Sequence, residues 1–257
     1  MKKIFYILII TFLIIEGVFI WGYFHYQIPV LMYHSIDEKC SKYSTLCVSP
    51  QRFKEQMEFI KRRGYKVLTI QEYISLINKP VWSIPHNLVL ITFDDGYKNN
   101  FTYAYPVLKR LGFPACIFMV AAKVNQKDRL SAQQLKILSQ NGITIGSHTL
   151  TERYLPHLTE EEIEIELCTS KKILEEITGK KIIALCYPTG GFNKSIQKIA
   201  QKCGYKIAFT TNRGYKVFPQ DIFAIRRIKI TQKDNNFILF FKLSGWYNLF
   251  RRIRNPS

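Results

Sequence analysis

The residues that can carry hydrolytic chemistry follow short apolar segments of the sequence. His34 follows IPVLMY, and His148 follows ITIGS. The pair Asp94 and Asp95 follows NLVLITF, and a Pro-Thr-Gly-Gly turn at 188–191 follows ALCY. Because parallel α/β folds place their working residues at the carboxyl ends of strands, we expect these groups to share one mouth. Paired carboxylates, imidazoles and free backbone amides are the groups that metal-assisted hydrolysis requires.

Two spaced motifs make this pattern specific, although each is weak alone because an Asp pair before Gly often marks only a turn. TFDDGY lies at 92–97 and GSHTL at 146–150, so the second begins fifty residues after Gly96. The supporting motifs are VLMYHSI (30–36), YPTGGFN (187–193), GYKIAFTT (204–211) and FAIRRIKI (223–230). With these motifs the sequence resembles the polysaccharide deacetylases with a NodB-type domain, carbohydrate esterase family 4, from about residue 29 to about residue 245. VLMYHSI and FAIRRI are most similar to the branch that deacetylates poly-N-acetylglucosamine on cell surfaces.

The resemblance implies a general base and a cation site. Asp94 matches the general base, and Asp95 and His148 match two ligands of a divalent metal ion, with zinc as the first expectation and other divalent ions as alternatives. The chemistry agrees, because an unactivated amide needs a strong nucleophile and a divalent cation lowers the pKa of bound water to roughly 7. Successive side chains of a strand point to opposite faces, so Gly96 must turn the chain if both carboxylates are to serve one site.

Three further catalytic roles are implied by the resemblance. The backbone N–H of Thr189 matches the donor to the tetrahedral oxyanion. No histidine follows His157, so the C-terminal histidine that many relatives use as general acid is missing. In the branch with MYH an early histidine takes that role, which here is His34. Arg227 matches the arginine of the closing motif and is expected to orient Asp94; a salt bridge at the surface or at the sheet end is the alternative interpretation.

One position departs from the family pattern. Relatives place a second histidine four or five residues after the first, where this sequence has Glu152 and Arg153. Because a carboxylate is an accepted zinc ligand, Glu152 is a candidate third metal ligand. The alternatives are a solvated carboxylate, paired with Arg153 or with nothing, and recruitment of His157. If Glu152 binds the ion it adds a negative charge, and we expect slower turnover or a different metal preference.

The elements that position these residues alternate along the chain. From residue 28 onward, short apolar runs alternate with amphipathic stretches, which predicts parallel strands joined by helices in a barrel or a large open sheet. The resemblance narrows this to an α/β fold, a distorted (β/α) barrel of the NodB-homology type. Thr159 is expected to open a long helix that reaches Thr178 and ends at Gly179. Since no linker is evident, we expect one polysaccharide deacetylase domain over 28–245.

The first segment predicts where the chain resides. Residues 4–22 form a nearly unbroken apolar run with Glu16 as its one charge, just long enough as a helix to cross a hydrocarbon layer of roughly 30 Å. Lys2 and Lys3 precede the run, which favours a cytoplasmic N-terminus and an extracytoplasmic catalytic domain. No small-x-small cleavage site follows, so an uncleaved N-terminal membrane anchor over 1–27 is favoured over a cleaved signal peptide.

Basic residues exceed acidic residues by a wide margin. Lys and Arg total 37 against 19 Asp and Glu, for a formal charge of +18. Such a surface favours anionic neighbours, either nucleic acid, acidic lipid headgroups or wall polymers. No nucleic-acid-binding motif accompanies the charge, which argues against a nucleic-acid partner. The basic aromatic tail over 246–257, with Arg251, Arg252 and Arg254, is interpreted either as a patch on an acidic membrane surface or as a closing helix with a solvated end.

The cysteines indicate structure rather than a thiolate metal site. None of the six belongs to a CxxC pair, which argues against zinc held by thiolates. Cys40 and Cys47 are candidates for a small disulfide loop in an oxidising compartment. Cys116 and Cys186 fall in apolar runs and are expected in the core.

These observations lead to two hypotheses of different classes. The first is a metal-dependent N-deacetylase acting on a GlcNAc-containing cell-envelope polysaccharide, whether a surface polysaccharide or peptidoglycan. The second is a carbohydrate-binding or scaffold protein that keeps the barrel and has lost the metal. Bound metal and acetate release distinguish the two.

Overall fold

Strands and helices alternate along the chain, as the hydrophobic pattern predicts. The computed structural model describes residues 2–24, 26–41, 44–211, 221–245 and 247. Within these residues the strands are β1 (Val30–Tyr33), β2 (Ser35–Ile36), β3 (Cys47–Val48), β4 (Lys66–Val67), β5 (Leu88–Phe93), β6 (Ala115–Met119), β7 (Ile143–Ser147), β8 (Ala184–Cys186), β9 (Ile207–Thr210), β10 (Ile225–Arg226) and β11 (Ile228–Lys229). The α-helices are α1 (Lys2–Phe24), α2 (Pro50–Arg62), α3 (Ile70–Ile77), α4 (Tyr105–Leu111), α5 (Ala132–Gln140), α6 (Glu160–Glu164), α7 (Ser170–Thr178), α8 (Lys194–Lys202) and α9 (Asn236–Leu243).

The strands form a nearly closed parallel barrel. Neighbouring strands follow the order β10-β9-β8-β7-β6-β5-β1-β11, and β4 also pairs with β5. The two ends of this order, β10 and β11, are separated along the chain by a single residue, Arg227. One segment therefore pairs with β9 through its first half and with β1 through its second half, which brings the ends of the sheet together. The predicted distorted (β/α) barrel is confirmed.

Apolar side chains cover both faces of the barrel wall, because parallel strands flanked by helices are buried on both sides. On one face Leu31 belongs to a cluster with Phe53 of α2, in the layer between strands and helices. Side chains alternate along a strand, so the other face lines the barrel interior. There Phe118, Cys116 and Cys186 are buried in one cluster. The core positions predicted for the two cysteines are confirmed.

The helix predicted from Thr159 to Thr178 has the expected ends and an interrupted middle. Thr159 is the N-cap of α6, and Gly179 ends α7 in a left-handed conformation with φ of 67°. Between α6 and α7, residues Ile165–Thr169 form one turn of π-helix. Such a turn inserts an extra residue and rotates the side chains around it, often at functional sites. It carries Glu166, whose side chain is buried and reaches the loop after β7.

The predictions for the two chain ends have different outcomes. The apolar N-terminal segment forms helix α1. Among the described residues, however, no helix has the combined length and apolar character that crossing a bilayer requires. The predicted membrane anchor is therefore not supported. The tail predicted over 246–257 lies outside the described residues except for Tyr247.

Two disulfides join segments of the outer layer. Cys40 pairs with Cys47, as the sequence suggested, and closes a loop with a sequence separation of 7. Cys168, in the π-helical turn, pairs with Cys203 after α8, at a sequence separation of 35. The second bond ties the helix that follows β7 to the helix that follows β8. Disulfides form and persist in oxidising compartments, so both bonds bear on where the chain works.

Candidate functional site

The carboxyl ends of the barrel strands carry the predicted site residues. His34 follows β1, and His148 follows β7. Asp94 and Asp95 follow β5, and Thr189 lies in the turn after β8. The contacts described below bring together every predicted site residue except Thr189, for which the described part of the chain gives no direct contact with the others.

Asp94 is held in a buried bidentate ion pair with Arg227. The guanidinium donates to both carboxylate oxygens at 2.6 and 2.7 Å, and the exposed fractions of the Arg227 and Asp94 side chains are 0% and 2%. Arg227 also donates to Thr92 Oγ1 at 3.1 Å and to Cys186 Sγ at 3.0 Å. Planar, two-point recognition of this kind fixes the orientation of a carboxylate. The geometry therefore favours Arg227 as the residue that orients Asp94 over an ordinary salt bridge at the surface.

The ion pair sets the charge of Asp94. Burial alone would raise the pKa of this carboxyl group. The charge and the hydrogen bonds of Arg227 outweigh burial and lower the pKa of Asp94 to about 2. Asp94 is therefore ionised at neutral pH and can hold a proton only transiently.

His34 lies beside Asp94, with its Nε2 3.8 Å from Asp94 Oδ2. Burial lowers the pKa of His34, and the charges of Asp94 and Asp95 oppose that shift without cancelling it. Its Nδ1 is buried and has no hydrogen-bond partner among the described residues. His34 is therefore neutral at pH 7 and can accept a proton through Nε2.

Asp95, His148 and Glu152 form a cluster whose geometry suits a divalent cation. One ligand atom from each side chain lies within 4.8 Å of the other two. His148 Nε2 and Asp95 Oδ1 are 3.5 Å apart. That distance is close to the edge of about 3.4 Å of a tetrahedron with zinc–ligand bonds of about 2.1 Å. One imidazole with two carboxylates is an accepted zinc set and also serves other divalent ions, so these residues fit the implied metal.

The ring of His148 is oriented by the main chain. Its Nδ1 is 2.8 Å from the carbonyl oxygen of Cys186. A carbonyl can only accept, so Nδ1 donates to it and Nε2 faces Asp95. Burial lowers the pKa of His148, but the neighbouring Cys186 and Asp95 outweigh it and hold the pKa well above its ordinary value. A proton and a cation therefore compete for Nε2.

A second group of potential metal ligands consists of Asp94, His148 and Cys186. Arg227 already occupies it, because the guanidinium bonds both Asp94 oxygens and the Cys186 sulfur. Burial also raises the pKa of the Cys186 thiol, so the sulfur is not the thiolate that a metal prefers. We therefore assign the candidate cation to the Asp95, His148 and Glu152 cluster.

Glu152 belongs to this cluster. The structure also distinguishes between the alternatives that the sequence left open, which were a pair with Arg153, a carboxylate with no partner, and recruitment of His157. The Glu152 carboxylate pairs with Lys123. Arg153 instead pairs with Glu162, so a Glu152–Arg153 pair is wrong. His157 is exposed and belongs to neither group of potential ligands in the described chain. Lys123 had no sequence signal, because it lies 29 positions before its partner.

The loops around the site hold unusual backbone conformations. Four non-glycine residues there have positive φ angles: Asp95 (67°), Thr149 (65°), Glu152 (69°) and Thr189 (51°). Such conformations cost on the order of 1–3 kcal/mol each and cluster at functional sites. Gly96 continues the turn with φ of 66°, and a Cβ there would lie 2.0 Å from Met119 Sδ. Because of this turn, Asp94 contacts Arg227 while the adjacent Asp95 contacts His148.

The loop after β7 is fixed by Glu166, a residue that sequence analysis did not single out. Its carboxylate accepts from the backbone N–H groups of Leu150 and Thr151, each at 2.9 Å, and from the Thr151 hydroxyl. The available signal was its position three residues after the buried Ile163, which places both on one helix face. Glu166 therefore holds the segment that connects His148 to Glu152.

The turn after β8 leaves one amide available. The Gly190 N–H donates to the Tyr187 carbonyl, and the Gly191 N–H donates to the Pro188 carbonyl. Thr189 is exposed, and its N–H has no acceptor in the part of the chain that the structure describes. This turn can therefore offer one N–H to an oxyanion, and the oxyanion role of Thr189 stays a prediction.

The sequence of this chain is similar to those of known polysaccharide deacetylases. The family model described as polysaccharide deacetylase matches residues 83–208. The Bacillus subtilis (strain 168) protein named putative polysaccharide deacetylase YxkH is 36% identical over 205 residues, covering 80% of this chain and 72% of that protein. The poly-beta-1,6-N-acetyl-D-glucosamine N-deacetylase of Staphylococcus aureus (strain MRSA252) is 27% identical over 194 residues, covering 70% of this chain and 65% of that protein.

A solved structure extends the similarity to the fold. The Streptococcus pyogenes deacetylase PplD in complex with acetate has a TM-score of 0.78 and 26% sequence identity. The match covers 84% of this chain and 97% of that chain. Nearly all of that protein therefore shares the barrel described above.

Proposed function

Because the chain belongs to the polysaccharide deacetylase family, hydrolases of carbon–nitrogen bonds, we propose that it is a metal-dependent N-deacetylase of a GlcNAc-containing cell-envelope polysaccharide. The observation that carries this proposal is the position of Asp94 next to the cluster of Asp95, His148 and Glu152. Asp94 is ionised, and Arg227 donates a hydrogen bond to each of its carboxylate oxygens. A fixed carboxylate beside a cation site supplies a base and an electrophile to the same acetamido group.

The candidate ligands would hold the ion, and Asp94 would act on the water. Asp95, His148 and Glu152 fit the divalent cation, with zinc as the first expectation. When bound, the cation supplies positive charge that acidifies water and polarises the acetyl carbonyl. Asp94 takes a proton as the water oxygen bonds to the acetyl carbon, and its orientation is fixed by Arg227. The C–N bond then breaks, acetate leaves, and the sugar nitrogen takes a proton to become an amine.

The proton path runs from Asp94 toward the departing amine. With a pKa of about 2, Asp94 does not retain a proton at neutral pH. His34 Nε2 is 3.8 Å from Asp94 Oδ2 and is the next acceptor, which then donates to the amine as general acid. The N–H of Thr189 would stabilise the negative charge on the former carbonyl oxygen.

The substrate and the location are proposed on three grounds. The name of the Staphylococcus aureus relative supports poly-N-acetylglucosamine as the polymer, and peptidoglycan is the alternative. The formal charge of +18 suits an anionic cell-envelope setting. The Cys40–Cys47 and Cys168–Cys203 disulfides support a catalytic domain outside the cytoplasm.

Acetate release before and after metal removal tests this proposal. We expect the zinc-loaded protein to release acetate from oligomers of β-1,6-GlcNAc. Chelation followed by dialysis should lower the rate at least about 100-fold, because the cation supplies several kcal/mol of charge stabilisation. Added zinc should restore the rate.

Peptidoglycan fragments serve as the comparison substrate in the same assay. Faster release from peptidoglycan would keep the enzyme and change the polymer. No acetate from either substrate would contradict the proposed function. Oligosaccharide binding by that inactive protein would then favour the carbohydrate-binding alternative.

A further inference from the structure

We propose that Lys123 is a positioning residue that offsets the charge of Glu152 in the candidate cation site; this inference rests on the proposed function. The Lys123 amine contacts Glu152 Oε2. A carboxylate has two oxygens with several acceptor sites, so one contact from Lys123 does not use up the carboxylate as a ligand. The exposed fractions of the two side chains are 29% and 31%, which places the pair at the mouth of the site rather than in bulk solvent.

The charges of the cluster show what the lysine does. Asp95 and Glu152 each contribute one negative charge, and His148 contributes none when its Nε2 binds a metal. A histidine at position 152 would be neutral, so the Glu152 carboxylate makes the ligand set more negative by one charge. Lys123 carries one positive charge and offsets that of Glu152.

The main chain builds the contact between these two residues. The Ala121 N–H donates to the Thr149 carbonyl at 3.1 Å, and the Ala122 N–H donates to the Leu150 carbonyl at 2.9 Å. These bonds join the short helical turn that ends at Lys123 to the loop that leads to Glu152. The pair therefore depends on two backbone segments bonded to each other, not on the chance meeting of two flexible surface side chains.

The backbone at Glu152 is also fixed by its surroundings. The Glu152 N–H donates to Thr149 Oγ1 at 3.1 Å, and both residues have positive φ angles. A residue keeps such a conformation only when its surroundings enforce it. By contrast, the neighbouring Arg153–Glu162 pair has side chains 50% and 40% exposed, as is usual for a solvated surface ion pair.

Charge compensation predicts opposite effects on metal binding and on turnover. In Lys123→Met the ligand set gains a net negative charge, so the cation is bound more tightly and acts as a weaker electrophile. We expect the dissociation constant for zinc to fall about tenfold and kcat to fall about tenfold, the scale typical of outer-sphere changes at metal sites. A purely structural role would weaken zinc binding and turnover together.

A double-substitution cycle tests whether the charges of Lys123 and Glu152 offset each other at the candidate cation site. Glu152→His leaves Lys123 with no carboxylate to neutralise, so we expect this variant to bind zinc about tenfold more weakly than wild type. Adding Lys123→Met to Glu152→His should restore zinc affinity to within about threefold of wild type. The visible absorption spectrum of the cobalt-loaded proteins reports coordination independently of activity.

Two controls accompany the cycle. Lys123→Arg keeps the positive charge and should leave both the zinc dissociation constant and kcat within about threefold of wild type. Lys127→Met removes one charge from an exposed lysine of the same loop and should change neither quantity. It therefore measures the effect of net charge alone.

The outcomes separate this inference from the proposed function. If wild type binds zinc and releases acetate, but Lys123→Met weakens zinc binding or changes nothing, the charge role of Lys123 is overturned and the proposed function stands. If Lys123→Met does not tighten zinc binding when it is added to Glu152→His, the charge role of Lys123 is also overturned. If wild type binds no zinc, both fail.

Discussion

Asp94→Asn is expected to lower kcat for acetate release by about 10³-fold, within the range of about 10²–10⁴ that a positioned general base contributes. The amide cannot take a proton from water, and it offers Arg227 one oxygen in place of two. Its zinc content should not change, because Asp94 is not among the Asp95, His148 and Glu152 ligands. Acetate release and bound zinc, measured on the same preparation, check this result.

A control is needed because Asp94→Asn also weakens a buried ion pair. Asp234→Asn is the matched variant, since Asp234 pairs with Lys242 at 2.6 Å, both side chains are buried, and neither is a candidate site residue. Asp234→Asn should lose stability and keep kcat within about threefold of wild type. If Asp94→Asn retained more than a tenth of the wild-type kcat, Asp94 would not be the base.

Arg227→Met is expected to lower the free energy of unfolding by about 3–5 kcal/mol near neutral pH, because it leaves Asp94 buried with no compensating charge. Both partners are almost fully buried, so solvent does not screen the loss. The variant also removes the hydrogen bonds to Thr92 and to the Cys186 sulfur. Urea denaturation at pH 7 measures the change.

The loss of stability in Arg227→Met depends on pH, and the pKa of Asp94 sets the direction of that dependence. The pKa of Asp94 is about 2 in the folded chain and 3.8 ordinarily, so the pair contributes stability above about pH 4. That contribution is lost as the pH falls through about 2. The stability difference between wild type and Arg227→Met should therefore shrink between pH 4 and pH 2. A difference below about 1 kcal/mol at pH 7 would contradict the account.

Lys242→Met distinguishes the site from the scaffold. It breaks the buried pair with Asp234 and should cost stability on a similar scale. Neither Lys242 nor Asp234 is a candidate site residue, so the folded protein should keep its activity. Arg227→Met should instead lose activity even under conditions where it is folded, because Asp94 is no longer oriented.

The barrel was predictable because its determinants are local. The mainly apolar run Leu88–Phe93 is buried on both faces, and a strand of this kind is typical of a parallel sheet. Caps are local as well: Thr159 and Gly179 begin and end the helical segment that the sequence predicted. The π-helical turn at Ile165–Thr169 was not predictable, since it accompanies the long-range contact of Glu166 with the loop after β7.

Local patterns predicted the residue types of the site, and the family resemblance supplied the expected pairing of Arg227 with Asp94. The sequence placed Asp94 and His148 at strand ends, but Arg227 is 133 positions from Asp94 and only the closing of the barrel brings them together. The Cys168–Cys203 disulfide depends on the same kind of distant contact. Lys123 and Glu152 meet because backbone hydrogen bonds join two loops, and no local pattern reports such bonds.

The membrane anchor was predicted from apolar length and flanking charge, and it is not supported, because the described residues contain no helix that combines the length and apolar character needed to cross a bilayer. By contrast, the Cys40–Cys47 bond is short-range and was proposed from spacing alone. Local patterns thus identified elements and one disulfide, whereas the Cys168–Cys203 and Lys123–Glu152 pairings came from the fold.

Zinc bound per chain, measured by equilibrium dialysis of wild type, His148→Ala and Cys186→Ser, tests the central claim most directly. The account predicts one ion for wild type and for Cys186→Ser, because the sulfur contacts Arg227 and is not a ligand. It predicts no tightly bound ion for His148→Ala. Zinc retained by His148→Ala, or lost from Cys186→Ser, would contradict a cation site built from Asp95, His148 and Glu152.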